Sequence, residues 1–159
     1  MTHIAYVGLG ANLGDRQNTL HDAISDINAL ENTDVTRVSP FYRSAPVDAG
    51  GPEYINAVIQ LATTVTPQLL LERLQEIEHQ HGRQRPYKNA PRTLDLDILL
   101  FDNICCNTPF LTLPHPRMHE RAFVLRPLAD IFPACHLIQG SIQDLIAQCE
   151  HQAIKRISP

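Results

Sequence analysis

The sequence predicts an α+β fold, an antiparallel sheet flanked by helices, and three observations carry that prediction. Short apolar blocks rich in β-branched and aromatic residues fall at residues 3–8, 35–43, 54–65 and 95–101. Between the first two blocks, and again between the last two, apolar residues recur at helical spacing instead. The length of 159 residues suits a single domain spanning 1–159, enough to bury roughly 70% of its unfolded surface.

The first strand is His3 to Gly8, ended by glycines. The stretch that follows, YVGLGANLGDR, spells GxGxxxG through Gly8, Gly10 and Gly14. That is one residue longer than the GxGxxG of dinucleotide-binding turns, and Asp34, where a ribose-holding acid would stand, starts a strand rather than ending one. The plain-turn reading is therefore preferred. Glycines still let other groups approach the backbone closely, so Gly10 and Asn12 are expected to border a site without dominating it.

A helix follows over Asn18 to Leu30, with Leu20, Ile24, Ile27 and Leu30 on one stripe. Val35 to Arg43 reads as a strand in which Pro40 marks an edge position or a bulge. Residues 44–53, SAPVDAGGPE, are a loop punctuated by proline and glycine. Tyr54 to Val65 is a long strand. Thr66 and Pro67 form an N-cap and first-turn pair that opens a helix, and Gly82 ends it. Asp95 to Phe101 is the last strand of the core. Proline-rich connections and two shorter helical stretches, Arg121 to Asp130 and Ile142 to Glu150, complete the chain. The order β-α-β-β-α-β is the ferredoxin-like arrangement, with both helices on one face of the sheet. That arrangement hosts many chemistries and selects none.

Composition narrows the function. A hydrophobic share of 43%, a charged share of 19% and a net charge of −4 describe an ordinary globular protein with no general attraction for nucleic acid or anionic membrane. No apolar run approaches the roughly twenty residues of a membrane span. The opening MTHIAYVG lacks the pattern of a signal peptide. Cys105, Cys106, Cys135 and Cys149 show no CxxC spacing and read as reduced thiols of a cytoplasmic protein. Eight histidines assemble no tetrahedral zinc set: His79 and His81 do not share a helix face, and His115 lies between prolines.

The strongest local signal is GRQRPYKNAPRTLDLDILLFD, Gly82 to Asp102. Its first half carries Arg83, Arg85, Lys88 and Arg92 with no acidic residue among them. Its second half sets Asp95 and Asp97 two apart at a strand's start, so both carboxylates face one side, about 7 Å apart. Basic loops are usually solvated surface, and a DxD often marks only a half-exposed strand. In combination they favour magnesium and a polyphosphate, the arginines meeting phosphate oxygens bidentately. Glu78 falls within the apolar stripe of Leu70, Leu71, Leu74 and Ile77, where a carboxylate is costly unless paired. It either emerges at the helix end or, as preferred here, points with Gln75 towards the same site.

Taken in order from residue 6 to about 128, YVGLGANLGDR, FYRSAPV, PEYINAV, QEIEHQHGR, APRTLDLDILLF and LTLPHPRMHERAFVL resemble the 6-hydroxymethyl-7,8-dihydropterin pyrophosphokinases of folate biosynthesis. PRTLDLDI followed by LPHPRMHERAFVL is the specific part. The resemblance implies transfer of pyrophosphate from ATP to the pterin's hydroxymethyl group, giving AMP, and a monomer is expected. It implies that Asp95 and Asp97 hold two magnesium ions, and that Arg83 and Arg92 engage the triphosphate. Gln75, Arg85, His115 and Arg121 are implied on the phosphate side, where the helix stripe already sets Glu78, and Leu71, Ile98 and Thr112 around the nucleoside. Tyr54 and Phe123 are implied to sandwich the pterin, Asn56 to read its edge, and Ser44, Ala45 and Val47 to line it through their backbone. The glycine turn becomes the first of three active-site loops, with residues 44–53 and 83–92 as the others. Three positions depart from the resemblance: Asn89 stands for a tryptophan, Phe110 for a basic residue and Pro116 for a tyrosine. A rival reading is a non-catalytic ferredoxin-like module that binds nucleotide or pterin.

Overall fold

The structure, a computed structural model, describes residues 1–12, 15–45, 53–82 and 94–157. Its centre is β1 (His3–Ala11), paired antiparallel with β4 (Tyr54–Thr63) on one side and β5 (Asp95–Phe101) on the other. Beyond β4 lie β2 (Thr33–Val38) and β3 (Tyr42–Ser44), and β3 in turn pairs with β10 (Ile154–Arg156). β5 forms the opposite edge of the sheet. Two short hairpins, β6–β7 (Cys106–Asn107, Thr112–Leu113) and β8–β9 (His136–Leu137, Gly140–Ser141), sit apart from it.

The predicted core order holds, and its caps act as predicted. α2 (Pro67–Gly82) starts where Thr66 Oγ1 accepts the Leu69 N–H at 3.2 Å. α1 (Arg16–Asn28) begins two residues earlier than expected because Asp15 caps it, accepting the Asn18 N–H. These helices lie on one face of the sheet, where Leu20, Ala23, Ile27, Leu70, Leu74 and Ile77 pack on Ala5, Val7, Leu9 and Ile59. The other face is covered in part by α3 (Ala122–Ile131) and α4 (Ile142–Gln148), whose apolar residues pack on Tyr6, Val58 and Leu99.

Three differences from the sequence reading have physical causes. β1 does not stop at Gly8 but runs through both glycines to Ala11, because Gly8 and Gly10 are paired on each side. The block 35–43 is two strands rather than one. At the break Ser39 replaces the ladder: its N–H donates to the Val58 carbonyl and its hydroxyl oxygen accepts the Val58 N–H, both at 2.9 Å. Pro40, with no N–H to give, follows that break. Last, the β1–β5 pairing shifts between Tyr6 and Val7, leaving Leu99 as an extra residue that bulges from the ladder.

Candidate active site

The ladder registers bring several of the expected site residues together before any side chain is considered. Tyr42 pairs with Asn56, Asn56 with Gly10, and Gly10 with Asp95, while the next rows hold Ser44 with Tyr54 and Gly8 with Asp97. Directly opposed residues point to the same face, so these positions share the face opposite α1 and α2. Asn56 and Asp95 stand two strand spacings apart, about 9–10 Å between backbones, with only glycine between them. A Cβ at Gly10 would lie 3.0 Å from Asn56 Nδ2 and 3.7 Å from Tyr54 Cδ1. The glycine thus makes a floor of bare backbone between an amide and a carboxylate.

On the amide side, the Ser44 hydroxyl donates to Asn56 Oδ1 at 2.5 Å, and both residues are buried. This fixes the amide's orientation and leaves its NH2 group by the glycine floor. Asn12, just past β1, keeps its Oδ1 buried and without a partner. Tyr54 is half-buried, and burial first, then the negative charge of Asp95, pushes its phenol pKa up. Phe123 is half-buried at the start of α3, with the Arg121 guanidinium 5.5 Å from its ring centroid. α3 is held over this region from both ends. Gln152 accepts the Ala122 N–H at 2.9 Å and donates to the Glu120 carbonyl at 2.7 Å. The Tyr42 hydroxyl donates to Asp130; burial, then this bond, pushes the Tyr42 pKa up to about 12.

On the carboxylate side, Asp95 is half-buried and Asp97 exposed, while Leu94, Leu96 and Ile98 face the core. The alternation expected of the DxD is present. His115 is brought against it. Its N–H donates to the carbonyl of the bulged Leu99 at 2.9 Å, so the bulge supplies the anchor. Its Nδ1 accepts the Arg117 N–H at 3.1 Å, which places the remaining ring proton on Nε2. Burial lowers the His115 pKa, Asp97 raises it, and Arg121 and Arg117 lower it further. The result is a neutral imidazole able to donate beside Asp97.

Other expected residues fall as follows. Ile98 is buried on the α1/α2 face, so only its backbone can meet a nucleoside. Leu71 is half-buried against that same core. Thr112 lies in β7, donating to Asn107 at 3.2 Å. Gln75 is exposed on α2, and Glu78 is half-buried, accepting the Leu96 N–H on Oε2 at 2.8 Å. Ser44 contributes through its hydroxyl, and Ala45 is exposed just beyond it. Arg83, Arg85, Arg92, Val47 and Asn89 lie outside the described residues, as does the active-site loop expected over 83–92. Phe110 is 75% exposed beside the β6–β7 hairpin. Sequence reading missed the Ser44 hydroxyl, the Leu99 bulge and the Gln152 cap, since each depends on a partner distant in the chain. Among the described residues no helix is long and apolar enough to cross a membrane.

Comparison with known proteins gives consistent results. The family model for 7,8-dihydro-6-hydroxymethylpterin-pyrophosphokinase matches residues 6–133. The 2-amino-4-hydroxy-6-hydroxymethyldihydropteridine pyrophosphokinase of Pseudomonas aeruginosa is 41% identical over 159 residues, covering 99% of this chain and 98% of that one. Its counterpart from Haemophilus influenzae is 41% identical over 154 residues, covering 95% and 96%. A solved HPPK-DHPS chain in complex with substrates superposes with a TM-score of 0.73 at 15% identity, over 93% of this chain and 43% of that longer one. At that identity the match speaks for the fold alone.

Proposed function

Because the chain belongs to the 7,8-dihydro-6-hydroxymethylpterin-pyrophosphokinase family, and so transfers pyrophosphate from ATP to 6-hydroxymethyl-7,8-dihydropterin in folate biosynthesis, we propose that the sheet face around Gly10 is where it does so. The observation that carries this placement is the row Asn56–Gly10–Asp95, an oriented amide and a carboxylate on either side of a side-chain-free floor.

The pterin lies over that floor between Tyr54 and Phe123. Its polar edge meets the Asn56 NH2, held in one orientation by Ser44, and the backbone of residues 44–47. Stacking on two aromatic faces adds roughly 0.5–1.5 kcal/mol per ring pair beyond buried area. The hydroxymethyl group then points across β1 towards Asp95 and Asp97 on β5.

Asp95 and Asp97 are hard oxygen donors on one strand face, one half-buried and one exposed, a set that suits magnesium held with substrate phosphates. They would hold two such ions, which would neutralise charge on the triphosphate. His115 donates from Nε2 to a phosphate oxygen, its ring held in place by the bond from the Arg117 N–H to Nδ1 and its backbone by the bond to Leu99. Arg121, Arg83, Arg85 and Arg92 supply the remaining positive charge. Gln75, Leu71, Ile98 and Thr112 complete the nucleotide side. In-line attack by the hydroxymethyl oxygen forms its bond to the β-phosphorus as the bond from that phosphorus to the bridging oxygen breaks; AMP leaves with the bridging oxygen, and the hydroxyl proton passes to solvent. Positioning and charge neutralisation account for the catalysis, and no dedicated general base is assigned. The protein works as a single-domain cytoplasmic monomer.

Product analysis tests this reading. Incubation with ATP and the reduced pterin yields AMP and pterin diphosphate in equal amounts. ADP in place of AMP would mean γ-phosphoryl transfer, and binding of both ligands with no turnover would mean a non-catalytic module.

A further inference from the structure

Glu78 occupies a position that neither the helix dipole nor the apolar stripe beside it favours. It lies in the last turns of α2, where the helix dipole disfavours an anion. It also adjoins the stripe of Leu70, Leu74 and Ile77, where burial disfavours a charge. Its Oε2 instead accepts the N–H of Leu96 at 2.8 Å. Leu96 is the residue between Asp95 and Asp97, and among the described residues β5 is an edge strand that β1 supports on one side only.

We propose that Glu78 is a positioning residue for the metal-holding pair. This rests on the reading of Asp95 and Asp97 as magnesium ligands. An edge strand is free to twist about its own axis, and a twist at Leu96 would turn both flanking carboxylates together. A charge-assisted hydrogen bond at that residue opposes the twist from the unpaired side. The same bond joins the end of α2 to the start of β5. It therefore also pins together the two stems from which residues 83–93, with Arg83, Arg85 and Arg92, depart.

Amide hydrogen exchange at Leu96, followed by NMR in the ligand-free protein, reads the bond itself. The magnesium concentration for half-maximal rate reads its consequence. In Glu78→Ala, exchange at Leu96 accelerates about tenfold or more, and the magnesium requirement rises at least about tenfold, the loss expected of one hydrogen bond to a charged group. KM for the pterin stays within about twofold. Glu78→Gln keeps a carbonyl acceptor and stays within about threefold of the native protein in both readouts. Unchanged exchange in Glu78→Ala would overturn the inference. So would faster exchange with an unchanged magnesium requirement, or a glutamine variant as impaired as alanine, which would make the charge itself a ligand. Asp97→Asn, assayed alongside, separates the two readings. If its magnesium requirement is unchanged, the metal assignment falls and the inference with it. If it rises while that of Glu78→Ala does not, only the role of Glu78 is lost.

Discussion

At Gly10 a single hydrogen atom decides what the sheet can hold. Its backbone needs no positive φ, so the constraint is space: a Cβ there would meet Asn56 Nδ2 at 3.0 Å. Gly10→Ala should therefore fold and should displace the amide rather than the strand. The expected outcome is a fall in kcat/KM for the pterin of about ten- to a hundredfold, with KM for ATP and the melting temperature little changed. Steady-state kinetics with each substrate varied in turn checks this. Equal losses for both substrates would place the glycine elsewhere than under the pterin. At this scale the sequence was legible where the pattern is local. Asp95 and Asp97 share a face because strands alternate, and the structure has them so. Ser44 on Asn56 is twelve residues away and Glu78 on Leu96 eighteen, and no periodicity reports such pairs.

Elements were legible in proportion to how much of their logic lies inside them. α2 and β5 carry their own caps and alternation, and their predicted limits match the structure. β1 does not, because two glycines argue against a strand interior and only pairing with both β4 and β5 overrides them. The break between β2 and β3 is similar: Pro40 announced an irregularity, but that Ser39 would satisfy Val58 across the gap depends on β4. This gives a prediction for the element. Ser39→Ala leaves the buried Val58 N–H without its acceptor and should cost about 1–3 kcal/mol of unfolding free energy, measured by urea denaturation. Activity of the folded fraction should be retained. A loss below the error of the fit would mean that β2 and β3 close the gap without the serine.

Across the whole molecule, the sheet separates two duties. One face, under α1 and α2, is core along its whole length. The other is core where α3 and α4 cover it, with the row from Asn56 to Asp95 beyond. Leu74 and Leu125 are both fully buried, one in each layer. Truncating either to alanine should cost about 2–5 kcal/mol of stability. Their kinetic effects should differ. Leu74→Ala should leave KM for the pterin unchanged, whereas Leu125→Ala, two residues from Phe123 on the same helix, should raise it several-fold. Identical kinetics in the two variants would show that α3 carries no part of the pterin site. The two-layer division also explains why fold and chemistry were legible separately: the βαββαβ order concerns one face and the DxD motif the other.

The glycine floor has a consequence for inhibition. A competitive inhibitor resting on it would touch main-chain atoms there, which are the same whatever residue the gene encodes. Escape by substitution at Gly10 would intrude on Asn56 and so impair recognition of the natural substrate together with the drug. Resistance would have to arise at the rim, through positions such as Phe123, Ala45 or Tyr54, and a compound that draws its affinity from the floor and the Asn56 amide leaves those routes little to gain.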